Sequence, residues 1–225
     1  MPLIPEFILL LVAAYFIGAI PIAYLTVRWR YGEDIRRFGS GQVGASNVYH
    51  SFSKPLAIAV GLFDFFKGIL LVWIAQLLGL NLPMQIAVAT AVIAGHNWPV
   101  FLRFNAGRGL ATTIGVSLYL FPWGIIPFVF FAAFTLLLGS SPLPLLVATA
   151  SLPLSSFLMQ YFGHPQPLVL TIGLTLFFVL LVIRRLTAPR SAESRSINLR
   201  RLLFNRLLFD RDIRDGEAWV RRKPR

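Results

Sequence analysis

"FILLLVAAYFIGAIPIAYLTV", residues 7 to 27, contains no charged side chain. Wound as a helix at about 1.5 Å per residue, it reaches about 30 Å, the thickness of the hydrocarbon core of a bilayer. "PLVLTIGLTLFFVLLVI", residues 167 to 183, is a second run of the same kind. The whole chain of 225 residues agrees with them: 56% are hydrophobic and only 13% are charged, with a mean hydropathy of +0.71. The charges are segregated, whereas a soluble domain would spread them over its surface. The sequence therefore predicts an all-α, polytopic membrane protein with one embedded domain and no soluble one. No basic segment precedes the first run, which carries Glu6 at its start, so it reads as a retained helix and not as a cleaved signal.

Length and punctuation place apolar segments near 4 to 27, 55 to 80, 84 to 102, 110 to 123, 125 to 139, 142 to 162 and 167 to 183. The fourth and fifth are short, and 110 to 139 also reads as one over-long helix broken at "FPWGIIP". Charge chooses between six crossings and seven. Arg28, Arg30, Arg36, Arg37 and Lys54 flank the first loop, Arg103 and Arg108 lie in the third, and 13 of the 21 Lys and Arg follow from Arg184 onward. The loops at 81 to 83 and 163 to 166 carry none. The positive-inside rule then puts the first loop, the third loop and the C-terminal tail in the cytoplasm and the N-terminus outside, which requires an odd number of crossings. Seven are expected, the fourth and fifth short or re-entrant. Residues 1–190 form the membrane domain and 191–225 a basic cytoplasmic tail with an interfacial helix.

The first cytoplasmic loop holds "GSGQVGASN", residues 39 to 47, with Gly39, Gly41 and Gly44 at the G-x-G-x-x-G spacing. A dinucleotide site needs a strand before those glycines and a helix on a parallel sheet after them, and here both flanks are membrane helices. The spacing also fits a P-loop except that Ala45 stands where the phosphate-binding Lys belongs. What both motifs share remains available: glycines let backbone N–H groups converge on an anion, and Ser40, Ser46 and Asn47 add short polar side chains. A flexible polar connector is the plain alternative.

Three more polar clusters share that face. "DFFKG" sets Asp64 and Lys67 three apart on one side of an apolar helix, where an unpaired charge is costly, so they are expected to pair. "GHNWPVFLRFNAGRG", residues 95 to 109, closes a helix on His96 and then offers Arg108 between Gly107 and Gly109 in a tight turn. In the tail, "SRSINLRRLLFNRLLF" aligns Arg195, Asn198 and Arg201 on one helical sector, with apolar residues beside them suited to an anionic lipid surface. A net charge of +12 could suit nucleic acid, but the basic residues hug membrane exits and no nucleic-acid-reading module is present. The absence of Cys excludes disulfides and thiolate metal sites. The three His residues are scattered and no carboxylate cluster accompanies them, so neither a metal nor a cofactor is expected. Glycine loops and cations at one mouth, backed by apolar helices, suit an amphiphile with a phosphate at one end and an acyl chain at the other.

The motifs resemble those of the membrane-integral, acyl-phosphate-dependent glycerol-3-phosphate acyltransferases of bacterial phospholipid synthesis. The likeness runs from about 12 to 202 through "AYFIGAIPIAYL", "GSGQVGASNVYH", "DFFKG", "GHNWPVFLRFNAGRGLAT" and "NLRRL". It implies seven helices in the bacterial inner membrane, an active site facing the cytoplasm, and acyl transfer from acyl phosphate to the 1-hydroxyl of glycerol 3-phosphate without coenzyme A or a metal. By that resemblance His96 and Ser40 are catalytic, and Gly41, Gly44, Ser46, Asn47, His50, Asp64, Lys67, Gly107, Arg108, Gly109, Asn198 and Arg201 bind substrate. The partners are the two substrates and membrane lipid, with the protein a monomer. Four positions depart from the family pattern: His50 and Arg108 stand for Arg and Lys, Ala106 for Gly, and Arg195 for a His. The glycine and glutamate usual after the last motif are absent. Other readings are a non-catalytic paralogue or a phosphate-ester transporter, although no paired inverted repeat is visible. No H-x-x-x-x-D occurs, since Pro55, Phe101 and Val169 stand five residues after the three His, which argues against the soluble-headed acyltransferases.

Overall fold

The computed structural model describes residues 4–137, 142–164, 167–190, 194 and 196–220, and every regular element among them is a helix. In chain order these are α1 (Ile4–Gly18), α2 (Ile22–Tyr31), α3 (Ala45–Ser51), α4 (Lys54–Leu77), α5 (Leu82–Asn97), α6 (Leu110–Leu120), α7 (Ile125–Leu137), α8 (Pro142–Tyr161), α9 (Leu168–Leu186), α10 (Leu199–Phe209) and α11 (Gly216–Val220). Among the described residues, five helical stretches are long and apolar enough to cross a membrane: Ile4–Tyr31, Lys54–Leu77, Leu82–Leu102, Pro142–Tyr161 and Leu168–Leu186. Residues 110 to 137 form two helices, because Phe121 leaves helical geometry and a tight turn over Pro122–Gly124 intervenes. With 11 residues, α6 rises only about 16 Å, well short of the hydrocarbon thickness.

Local chemistry explains the breaks that matter. Pro21 lacks a backbone N–H, so the Ile4–Tyr31 stretch parts into α1 and α2 across Ala19–Pro21. Ser53 caps α4, its hydroxyl accepting from the Leu56 N–H, with Pro55 in the first turn; Asn81 caps α5 in the same way on Met84.

α4 and α5 form the centre, with α1, α6 and α9 packed around them. Small residues permit the tight crossings. A Cβ on Gly95 would lie 2.1 Å from the Tyr15 carbonyl oxygen and one on Gly18 2.3 Å from that of Val92, so α1 and α5 cross backbone to backbone. Gly115 repeats the device between α6 and α4, 2.3 Å from the Phe65 oxygen. Leu71, Val92, Ile93, Phe121, Leu174 and Phe177 fill the interior. Ile8, Leu9, Phe66, Trp73, Leu154, Phe157 and Ile172 point outward, the pattern of a lipid-facing surface.

A side chain at the α1–α5 crossing must push two backbones apart. Gly95→Val should destabilise the detergent-solubilised protein by about 3 kcal/mol, the upper range for overpacking, and lower its thermal-unfolding midpoint. Gly61→Ala, where the new Cβ would meet only the Ala45 methyl at 3.6 Å, should leave the midpoint unchanged. Equal midpoints for Gly95→Val and Gly61→Ala would refute the close crossing.

Candidate active site

An ammonium and a carboxylate inside an apolar helix have to find partners, and α4 provides the first pair. Lys67 Nζ lies 2.7 Å from Asp64 Oδ1, one helical turn away, and each residue is 4% exposed. The break after α1 supplies the second partner. Ile22 N–H bonds to the Ile20 carbonyl, and the Gly18 carbonyl accepts from Lys67 Nζ at 3.0 Å; the ammonium sits at the negative end of α1. Thr112 of α6 donates to the Asp64 carbonyl at 2.9 Å, tying α4 to α6 at the same level.

His96, in the last turn of α5, completes the group. Its Nδ1 lies 3.0 Å from Lys67 Nζ and 3.3 Å from Asp64 Oδ1. Those two contacts demand opposite roles. As an acceptor from Lys67, Nδ1 leaves the proton on Nε2; as a donor to Asp64, it leaves Nε2 with a free lone pair. The second arrangement is the one in which a carboxylate orients an imidazole for taking a proton. A cleft lined by Gly18, Pro21, Val43, Asp64, His96 and Ala106 opens beside the group.

The 39–47 loop is folded around Asn47, which is 3% exposed. Its amide nitrogen donates to the carbonyls of Ile35, Phe38 and Gln42 at 3.2, 3.1 and 3.0 Å. Its oxygen accepts from the Ser40 N–H at 3.2 Å and the Ser51 hydroxyl at 3.1 Å. Asn47 thus sets the shape of the loop. Gly39 and Gly41 take positive φ, 49° and 70°, and a Cβ on Gly39 would strike Asn47 Oδ1 at 2.4 Å. The Ser40 hydroxyl accepts from the Gln42 N–H. Gly44, in extended backbone, precedes α3, while Ser46 and His50 are exposed on it.

The two glycine segments meet at Gly107. A Cβ there would lie 2.7 Å from His96 Nε2 and 2.6 Å from the Val43 carbonyl oxygen, so the first loop, the second turn and the imidazole share one point. Gly109, at φ 69°, rests against the Asn97 amide in the same manner. Arg108 forms an ion pair with Asp210 of the tail. Burial first, then the like charge of Arg185, pushes its guanidinium down to about 9, so it remains a cation at neutral pH.

Asn198 and Arg201 stand at the start of α10. Asn198 caps α10 by accepting from the Arg200 N–H, and Arg201 is exposed. Neither forms a hydrogen bond or ion pair with the Asp64–Lys67–His96 group among the described residues; Arg195 is outside them. Instead the tail docks through residues the sequence reading passed over. Arg185 Nε lies 2.9 Å from Asp210 Oδ1. Arg206 pairs with Asp212 at 2.7 Å and donates to the Leu186 and Pro189 carbonyls. The signal was present in "IRRL" and "DRDIRD": adjacent arginines closing an apolar helix, followed by acids able to receive them.

Three comparisons bear on this arrangement. The sequence model of the family described as glycerol-3-phosphate acyltransferase matches residues 8–190. Glycerol-3-phosphate acyltransferase 4 of Dehalococcoides mccartyi strain CBDB1 is 43% identical over 222 residues, 97% of this chain and 94% of its own. Glycerol-3-phosphate acyltransferase 5 of strain ATCC BAA-2266 is 44% identical over 218 residues, 96% of this chain and 93% of its own. Among solved structures, PlsY (YgiH), an integral membrane glycerol 3-phosphate acyltransferase, superposes in its glycerol 3-phosphate form with TM-score 0.71 and 27% identity over 80% of this chain and 88% of that one. Its lysophosphatidic acid form gives 0.69 and 25% over 96% and 98%.

Removing one member of a buried pair strands the other. Asp64→Leu, which leaves the Lys67 ammonium without its carboxylate, should cost about 3–5 kcal/mol of stability, and Asp64→Leu with Lys67→Met should recover most of it. Thermal unfolding of wild type, Asp64→Leu, Lys67→Met and the double variant in detergent measures the coupling. A double variant less stable than the single one would mean that the two side chains do not depend on each other.

Proposed function

Since the chain belongs to the glycerol-3-phosphate acyltransferase family, we propose that it transfers an acyl group from acyl phosphate to the 1-hydroxyl of glycerol 3-phosphate, giving lysophosphatidic acid for phospholipid synthesis. The observation that carries this reading is the convergence at Gly107 of two glycine segments and His96 Nε2. There, among the described residues, the first glycine loop, the second glycine turn and a buried imidazole come together beside apolar helices able to hold an acyl partner.

Acyl phosphate is a mixed anhydride and already activated, so the protein has mainly to align two anions and offset developing charge. The hydroxyl oxygen attacks the acyl carbon, the carbon–oxygen bond to phosphate breaks, and inorganic phosphate leaves. The hydroxyl proton passes to His96 Nε2, with Asp64 holding Nδ1–H. Lys67 neutralises Asp64 and keeps the pair in place. Ser40, Gly41, Gly44 and Ser46 surround the phosphate with short donors and open backbone, Asn47 shapes their loop, and Arg108 with Gly107 and Gly109 closes the other side. His50, exposed on α3, and Asn198 with Arg201 at the start of α10 meet the substrate at the mouth.

The membrane arrangement belongs to the same proposal. Five long apolar stretches and the shorter α6 and α7 support seven crossings of the bacterial inner membrane, with the N-terminus outside. The glycine segments and the 191–225 tail then face the cytoplasm, where glycerol 3-phosphate is made available.

Two experiments decide these points. Purified protein should form lysophosphatidic acid from acyl phosphate and glycerol 3-phosphate, with no product from acyl-CoA, and Gly107→Ala should lose about 100-fold or more in kcat/KM because its methyl intrudes on the reacting centre. Product from acyl-CoA alone would overturn the donor assignment. For topology, single cysteines at Arg30 and Ser196 should react with an impermeant reagent only after the membrane is opened, and one at Asn81 in intact cells. The reverse pattern would invert the proposed orientation.

A further inference from the structure

α9 ends in two adjacent arginines that the proposed reaction leaves unused. A cation that merely marks the cytoplasmic side would extend its head into water, yet Arg184 and Arg185 are 2% and 3% exposed. Arg184 is turned onto the second glycine segment. Its Nε donates to the Gly107 carbonyl at 2.9 Å, and its Nη2 to the Ala106 carbonyl at 2.9 Å and to Asn105 Oδ1 at 3.0 Å. Three acceptors on three successive residues match the planar fork of a guanidinium, which a single ammonium cannot reproduce. The carbonyl held by Nε belongs to the residue whose Cα faces His96 Nε2. Movement of this guanidinium therefore moves the backbone lying on the imidazole.

Arg185 secures the same turn from the tail side. It donates to the Leu207 carbonyl at 2.9 Å and holds Asp210 Oδ1 at 2.9 Å, and that carboxylate pairs with Arg108. Asp210 lies beyond the residues 8–190 that the family model matches and takes a left-handed φ of 57° at the end of α10. One arginine thus grips the 105–107 segment, through the Asn105 side chain and the next two carbonyls, and its neighbour, through Asp210, fixes the side chain of the next residue.

We propose that Arg184 is a positioning residue that seats the Gly107 turn on His96, and that Asp210, held by Arg185, is a second positioning residue that aims Arg108. This rests on the reading above that the turn binds the phosphate substrate. The test uses the full-length protein in detergent: kcat and KM for glycerol 3-phosphate, with hydrogen exchange over 105–109, for wild type, Arg184→Gln, Arg184→Lys and Asp210→Asn. Arg184→Gln should lose about 100-fold in kcat/KM, the scale of a misplacement of about 1 Å, and should raise exchange in the turn. Arg184→Lys should recover part of that loss. Asp210→Asn should raise KM about tenfold with kcat nearly unchanged, the loss of a charge-assisted contact. A merely structural role would lower the melting temperature while leaving kcat and KM at wild-type values in folded protein, and that result overturns the proposal. If Arg184→Gln does not fold, wild-type kinetics in both Arg184→Lys and Asp210→Asn overturn it equally. Wild-type protein that transfers no acyl group refutes the proposed function separately; exchange over 105–109 then reads the seating of the turn, and protection unchanged in Arg184→Gln overturns it.

Discussion

A lysine and an aspartate in the interior of an apolar helix cannot be left in hydrocarbon unpaired, and most of the site follows from how α4 meets that requirement. Pairing Lys67 with Asp64 satisfies each charge only in part, because an ammonium carries three donors and a carboxylate accepts several. The remaining valences recruit other elements. The broken end of α1 offers the Gly18 carbonyl, α5 offers His96, and α6 sends Thr112 to the Asp64 backbone. Four helices are thereby fixed at one level, which is also where the glycine segments arrive. Buried ion pairs contribute little to stability after desolvation; what this one provides is a unique arrangement of helix ends around an imidazole.

A second consequence concerns the balance of charge at that mouth. The apolar helices leave the end that carries the glycine segments rich in arginine, and buried guanidiniums repel one another unless acceptors lie between them. The protein separates them with backbone carbonyls and two tail carboxylates: Arg184 on the 105–107 segment, Arg185 and Arg108 on Asp210, Arg206 on Asp212. The tail is therefore built into the architecture around the second glycine turn.

The sequence was most informative where a single local rule decided the outcome. Apolar length located the helices, and the two sequence readings of the 110–139 stretch differ at the Phe121–Gly124 turn, where α6 ends before α7 begins. The three-residue spacing of Asp64 and Lys67 implied their pairing, since a helix brings such positions together. The glycine segments were recognisable by composition, but their meeting at Gly107 was not, because it depends on the crossing of α1 and α5 and on the Val43 carbonyl. Asn47 read as a donor to ligand, while the fold engages both ends of its amide within the loop. Arg184 and Arg185 read as topological markers, and only tertiary contact distinguishes a snorkelling cation from a buried one. Asn198 and Arg201 aligned on one helical sector, yet helix spacing says nothing of how far α10 lies from α5.

The central claim is that the phosphate of glycerol 3-phosphate binds between the 39–47 loop and the Gly107 turn, with its 1-hydroxyl at His96. A crystal structure of the protein with bound glycerol 3-phosphate tests it most directly. The account predicts phosphate oxygens within hydrogen-bond reach of Ser40 or Gly41 and of Arg108, and the 1-hydroxyl about 3 Å from His96 Nε2. A phosphate bound out of hydrogen-bond reach of Ser40, Gly41 and Arg108, with the 1-hydroxyl remote from His96 Nε2, would contradict it.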